Sequence, residues 1–247
     1  CPTEKIKKQM KTTFLAILTM FLSMNGTSCA QTRTAKDAFE VSDFTAIEAS
    51  VVANVFITQS PVTNVTAEGN EELLERLEIR MEGERLILDM EDERFWKRFG
   101  KNASKLTIRI ATPTLSEIDF EGVGNITIEG VFNTPQLVIN SEGVGNLTAN
   151  NLECEYVKIS SEGVGNTIVG GKAGKVEINS QGVGNVDARM LLAPEAVVSS
   201  QGVRNVSCYA SDFLSIRSQG VGNVHYYGKP LKTDLIKDGV GKIRPGE

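Results

Sequence analysis

The 247-residue chain is poor in the residues on which most active sites are built: it has one histidine, one tryptophan and four cysteines. It contains no C-x-x-C pair and no Cys/His pattern with zinc-ligand spacing, so the common structural zinc sites are excluded. The single histidine, His225, has no serine or cysteine motif near it in sequence, and it reads as a surface or end-cap residue. Basic residues are outnumbered, 26 Lys and Arg against 31 Asp and Glu, for a net charge of -5. That balance argues against nucleic acid as a partner. Long apolar runs are missing too, since Phe14–Met24 (FLAILTMFLSM) is too short to span a bilayer. With 40% hydrophobic residues the chain still has material for a sizeable core in one or two domains.

What is present begins with an export signal over residues 1–30, in which Lys5, Lys7, Lys8 and Lys11 precede the apolar stretch. Met10 is a candidate start. Two cleavage readings stand at Gly26-Thr-Ser-Cys29-Ala-Gln31. Small residues before Cys29 fit a lipoprotein signal in which that cysteine is acylated, although Gly26 stands where leucine is usual. Ser28 and Ala30 alternatively form the small pair of an ordinary signal-peptidase site, with cleavage before Gln31. Both readings export the chain to the cell envelope (periplasm, outer membrane or cell surface), and only the first gives membrane contact, through a lipid anchor at Cys29. Residues 31–38 are polar and read as a short tether. Cys154 and Cys208 are about three repeats apart, roughly 14 Å at ~4.8 Å per repeat, which is beyond disulfide reach.

Nearly the same five letters recur seven times, starting at Glu121, Glu142, Glu162, Gln181, Gln201, Gln219 and Asp238, at intervals of 21, 20, 19, 20, 18 and 19 residues. A period near 20 without helix-length apolar patterns predicts an all-β parallel β-helix, a β-solenoid in which every repeat is one coil of about 20 residues. Three places before each motif stand Ile118, Ile139, Ile159, Ile178, Val198, Ile216 and Leu235. Directly after it stand Ile126, Leu147, Thr167, Val186, Val206, Val224 and Ile243. The residue after each of these is mostly polar, the period-two pattern of half-buried strands. Residues 47–57 (IEASVVANVFI) keep the same spacing and read as a degenerate first coil, so one solenoid domain spans 39–247, with GVGN coils from 121 to 242.

Within the motif the two glycines mark a corner or a close backbone approach, and stacked asparagines can bond amide to amide. Strict alternation puts Glu121, Val123 and Asn125, Glu142, Val144 and Asn146, and Glu162, Val164 and Asn166 outward as an exposed ladder. A bend at the glycines would reset that parity and turn the valines inward, and both readings stand. Arg204 replaces the second glycine once, and Lys242 replaces the last asparagine. The glutamate column could hold a cation through oxygen ligands, but it gives way to glutamines from Gln181 onward, and the expectation is a solvated ladder without metal or cofactor.

Residues 62–110 supply further strands and one short helical turn near Glu71–Leu77. Residues 91–105 interrupt them with Arg94, Phe95, Trp96, Lys97, Arg98 and Phe99, which form either a partner-contact loop or an aromatic cap over the end of the core. The opening FTAIEASVVANVFITQ, the segment VTAEGNEELLERLEIRMEGERLILDM, and KLTIRIATPTLSEIDFEGVGN with its repeats resemble the bacterial family described as putative auto-transporter adhesins with a head GIN domain. The resemblance covers about residues 39–247 and implies a right-handed parallel β-helix in an exported or surface-associated protein. It brings no catalytic or ligand-binding residues with it. The expected function is therefore non-enzymatic binding, adhesion or scaffolding, with a polysaccharide or an envelope or surface protein as partner and an open oligomeric state. The alternative is a polysaccharide-processing lyase or hydrolase, which requires clustered Asp, Glu, Arg or Lys in a cleft.

Overall fold

The computed structural model describes residues 34–90 and 106–246. The stacking follows from the apolar columns. Parallel pairing sets Ile118 beside Ile139, then Ile159, Ile178, Val198, Ile216 and Leu235 in succession. A second column runs through Ile126, Leu147, Thr167, Val186, Val206, Val224 and Ile243. Down to Ile216 and Val224 these side chains are buried, each aliphatic one contributing about 1.5–3 kcal/mol of transfer free energy if fully removed from water. Coils in the middle of the stack have a third face, where residues 132–134 pair with 152–154, these with 171–173, and 170–172 with 190–192.

Residues 47–57 form a coil of this stack. Ile47 pairs with Ile118, Val55 with Ile126 and Ile57 with Ile128. Between Gln59 and Glu117 the described residues leave the stack and build an N-terminal layer on the opposite side of that first coil. Arg85–Met90 pairs in parallel with Ala46–Ser50, and Leu106–Thr112 with Asn54–Gln59. Two antiparallel partners flank them, Leu77–Glu82 beside Arg85–Met90 and Asn64–Asn70 beside Leu106–Thr112. A single helical turn, Glu71–Leu74, joins these strands and is capped by the Asn70 side chain, which accepts from the Leu73 N–H at 3.1 Å.

Residues 34–38, expected as a tether, instead belong to a strand, Thr34–Phe39, antiparallel to Asn64–Asn70. Backbone pairing on an open sheet edge supplies its hydrogen bonds whatever its side chains, so the polar composition gave no warning. Cys29 and the Arg94–Phe99 cluster lie outside the described residues. Among the described residues no helix is long and apolar enough to cross a membrane.

Candidate functional site

The repeated corner is the most regular surface of the molecule. Alternation continues unbroken through it. The Glu/Gln, Val and Asn columns face outward and the glycines face in, so the outward of the two parities is the one observed. Val144, Val164, Val183, Val203 and Val221 are each 50–58% exposed and Val240 72%, which makes the valines one apolar stripe over six successive coils. Val123 is half-buried and Val52, at the first coil, is buried. The stripe is held in register by backbone bonds: each valine N–H donates to the first glycine carbonyl of the preceding coil, for example Val164 N to Gly143 O at 3.0 Å and Val221 N to Gly202 O at 2.9 Å.

Beside the valines runs an amide ladder. Asn125 Nδ2 donates to Asn54 Oδ1 at 3.0 Å, Asn146 to Asn125 at 3.0 Å, Asn166 to Asn146 at 3.1 Å, and Asn185 to Asn166 at 2.9 Å. Asn205 and Asn223 continue it at 3.2 and 3.4 Å, and the Lys242 backbone N–H ends it on Asn223 Oδ1. Each rung uses one of the two N–H bonds of an amide, leaving the other to solvent. Truncating a middle rung by Asn166→Ala removes a donor and an acceptor at an exposed site; the expected cost is about 1 kcal/mol, read as a lowered urea midpoint.

The glycines are a steric necessity. A Cβ on Gly143, Gly163, Gly182 or Gly202 would sit 2.0–2.2 Å from the first-glycine carbonyl of the coil below. Arg204 occupies the second glycine column and turns inward, only 2% exposed. Its Nη1 donates to Ser161 Oγ at 2.9 Å and its Nη2 to Gly163 O, two coils back. It threads the gap left by Gly182, where Nη2 lies 2.5 Å from the place a Cβ would take. No carboxylate pairs with it among the described residues, its Nε has no partner, and burial pulls its pKa below the ordinary arginine value.

On the other flank of the glutamates lies a groove of about 350 Å³, lined by Glu48, Asp119, Glu121, Asn140, Glu142 and Glu162 among others. Asp119 is already engaged there, by Arg85 Nη1 at 2.6 Å and Asn140 Nδ2 at 2.6 Å, while Arg85 Nη2 donates to Glu117 at 2.8 Å. The cation site considered for Glu121, Glu142 and Glu162 is not formed: among the described residues no three His, Cys, Asp or Glu side chains converge as metal ligands. Stacked at one per coil on an exposed corner, they stand in a row and do not surround a point. His225 accepts from Arg244 Nε at 2.9 Å, a contact between the last two coils.

Among the described residues the two thiols, Cys154 and Cys208, are free, and burial pushes Cys154 up to about 11 and Cys208 to about 12. The unfolded chain loses these protons near 9 while the folded chain keeps them, so the unfolded state binds fewer protons and stability falls as pH rises from about 9 toward 11–12. Urea midpoints between pH 8 and 10.5 should drop more steeply for the native chain than for Cys208→Ala, and equal slopes would refute the assignment.

Fold and surface together define a parallel β-solenoid that displays a repeated, flat outward ladder. The family model for putative auto-transporter adhesin, head GIN domain, matches residues 43–230, and the chain belongs to that family. A crystal structure of a putative adhesin from Bacteroides fragilis is 32% identical, with a TM-score of 0.82, covering 87% of this chain and 97% of that one. Two structures from Parabacteroides distasonis share the fold at lower identity. One, described as a putative adhesin, is 17% identical with a TM-score of 0.62 over 86% of this chain and 98% of its own. The other, described as a putative lipid binding protein, is 18% identical with a TM-score of 0.64 over 86% and 97%. A comparison with curated proteins finds no match.

Proposed function

We propose that this chain is a non-enzymatic binding or scaffolding protein of the cell envelope, and that its working surface is the Glu/Gln–Val–Asn ladder. The observation that carries the reading is the valine stripe, six consecutive side chains at least half exposed. Soluble proteins seldom leave so ordered an apolar strip open unless something covers it. Evenly spaced weak contacts add up along a rigid support, which suits adhesion to a polymer or an extended surface. Family membership and the adhesin descriptions of the related structures agree with this reading. Export, anchoring through an acylated Cys29 and partner contact through Arg94–Phe99 belong to the same proposal, and the mass of the mature N-terminus recovered from membranes tests the anchor.

The experiment is retention of the purified full chain on isolated cell envelopes and on neutral and acidic polysaccharides. Val164→Lys with Val203→Lys is expected to cut retention tenfold or more, whereas Glu48→Gln, which alters the groove outside the ladder, leaves it within twofold. Release of shortened polysaccharide, abolished by the groove variant, would support the enzymatic alternative instead.

A further inference from the structure

We infer that the ladder face also pairs with the same face of a second copy of this chain, in a two-fold, face-to-face dimer. The inference rests on the reading of the ladder as a contact surface and names one partner for it. The first support is period. A stack of coils repeats every ~4.8 Å, and only an object with that repeat meets every coil in the same way along the full length. A second copy is such an object.

The second support is the charge pattern. The column reads Glu121, Glu142, Glu162, then Gln181, Gln201, Gln219, then Asp238, all exposed. A two-fold axis crossing the solenoid at Val183 runs the two copies antiparallel and keeps like columns opposed. Val183 then meets its own copy, Val164 meets Val203, Val144 meets Val221 and Val123 meets Val240. Glu162 faces Gln201 and Glu142 faces Gln219, so carboxylates meet amide donors instead of one another. Only Glu121 and Asp238, at the two extremes, place like charges together, where solvent screens them. The change from glutamate to glutamine at the middle of the column is what this arrangement needs, and an isologous pairing requires such self-complementarity.

The third support is area. Six coil intervals give a strip roughly 29 Å long, and five residues across give roughly 16 Å. Two copies then bury about 900 Å² in all, below stable specific interfaces and within the range of weak, transient ones. The expected association is reversible and micromolar.

Sedimentation equilibrium of the full chain over about 1–200 μM tests it, with circular dichroism confirming that each variant is folded. A monomer–dimer equilibrium is expected. Val183→Lys, which sets two ammonium groups on the axis, should weaken it at least tenfold. Gln201→Glu, an exposed change that leaves folding intact, sets a carboxylate opposite Glu162 and should weaken the dimer several-fold at low salt; adding Glu162→Gln should restore it. A monomer at every concentration overturns the inference, and so does a dimer indifferent to both Val183→Lys and Gln201→Glu. A monomeric chain that still binds envelopes through Val164 and Val203 leaves the proposed function standing without the dimer. A dimer broken by Val183→Lys, in a chain whose envelope retention ignores the ladder, leaves the dimer standing without that function.

Discussion

Replacing Gly184 by alanine should lower the unfolding free energy by roughly 3 kcal/mol or more, the sum of backbone strain and a forced clash. Gly184 sits at φ +135°, and a Cβ there would stand 1.9 Å from the Gly165 carbonyl oxygen. That oxygen belongs to the backbone of the coil beneath. It cannot swing aside as a side-chain end would, and moving it disturbs the corner on which the next coil is laid. Gly130 is the matched control. Its φ of +74° is also unfavourable for alanine, but nothing lies within 4 Å of the added carbon. Gly130→Ala should therefore cost only the conformational part, about 1–2 kcal/mol. Guanidinium unfolding of the two variants measures the difference, and equal midpoints would mean that the glycines are not packing requirements.

Arg204→Met should raise stability, by about 1–3 kcal/mol. A guanidinium that is 2% exposed, has no carboxylate partner among the described residues and leaves Nε unbonded gives up its hydration for two hydrogen bonds. Methionine fills much of the same channel beside Gly182 without a charge to desolvate. The partners lose little. Gly163 O still accepts from Val183 N at 3.1 Å, and the Ser161 hydroxyl can rotate. A fall of more than 1 kcal/mol in the same unfolding assay would show that the arginine is needed to hold the corner together.

These two sites also mark what could be read in the sequence. The stacked columns were legible because in-register stacking repeats them one coil at a time. Ile118 to Leu235 and Ile126 to Ile243 are the same inward positions, and the observed register pairs them residue for residue. The outward face was legible only as one of two parities, since glycines give no side-chain direction of their own. The direction of Arg204 was not legible, because its destination is a gap two coils away that exists only once Gly182 is stacked above Gly163. Likewise, nothing local told that Asn64–Met90 and Leu106–Thr112 lie on the far side of the first coil. Strand order departs from chain order there, and the linking contact, Arg85 with Glu117 and Asp119, spans more than thirty residues.

The central claim is that this protein works through its repeated corner and not through a pocket. Hydroxyl-radical footprinting of the full chain, free and bound to isolated cell envelopes at a concentration below its own self-association, tests this directly. The account predicts protection along Val144, Val164, Val183, Val203 and Val221, with the exposed Glu48 of the acidic groove unchanged. Protection of the groove while the valines stay open would contradict it.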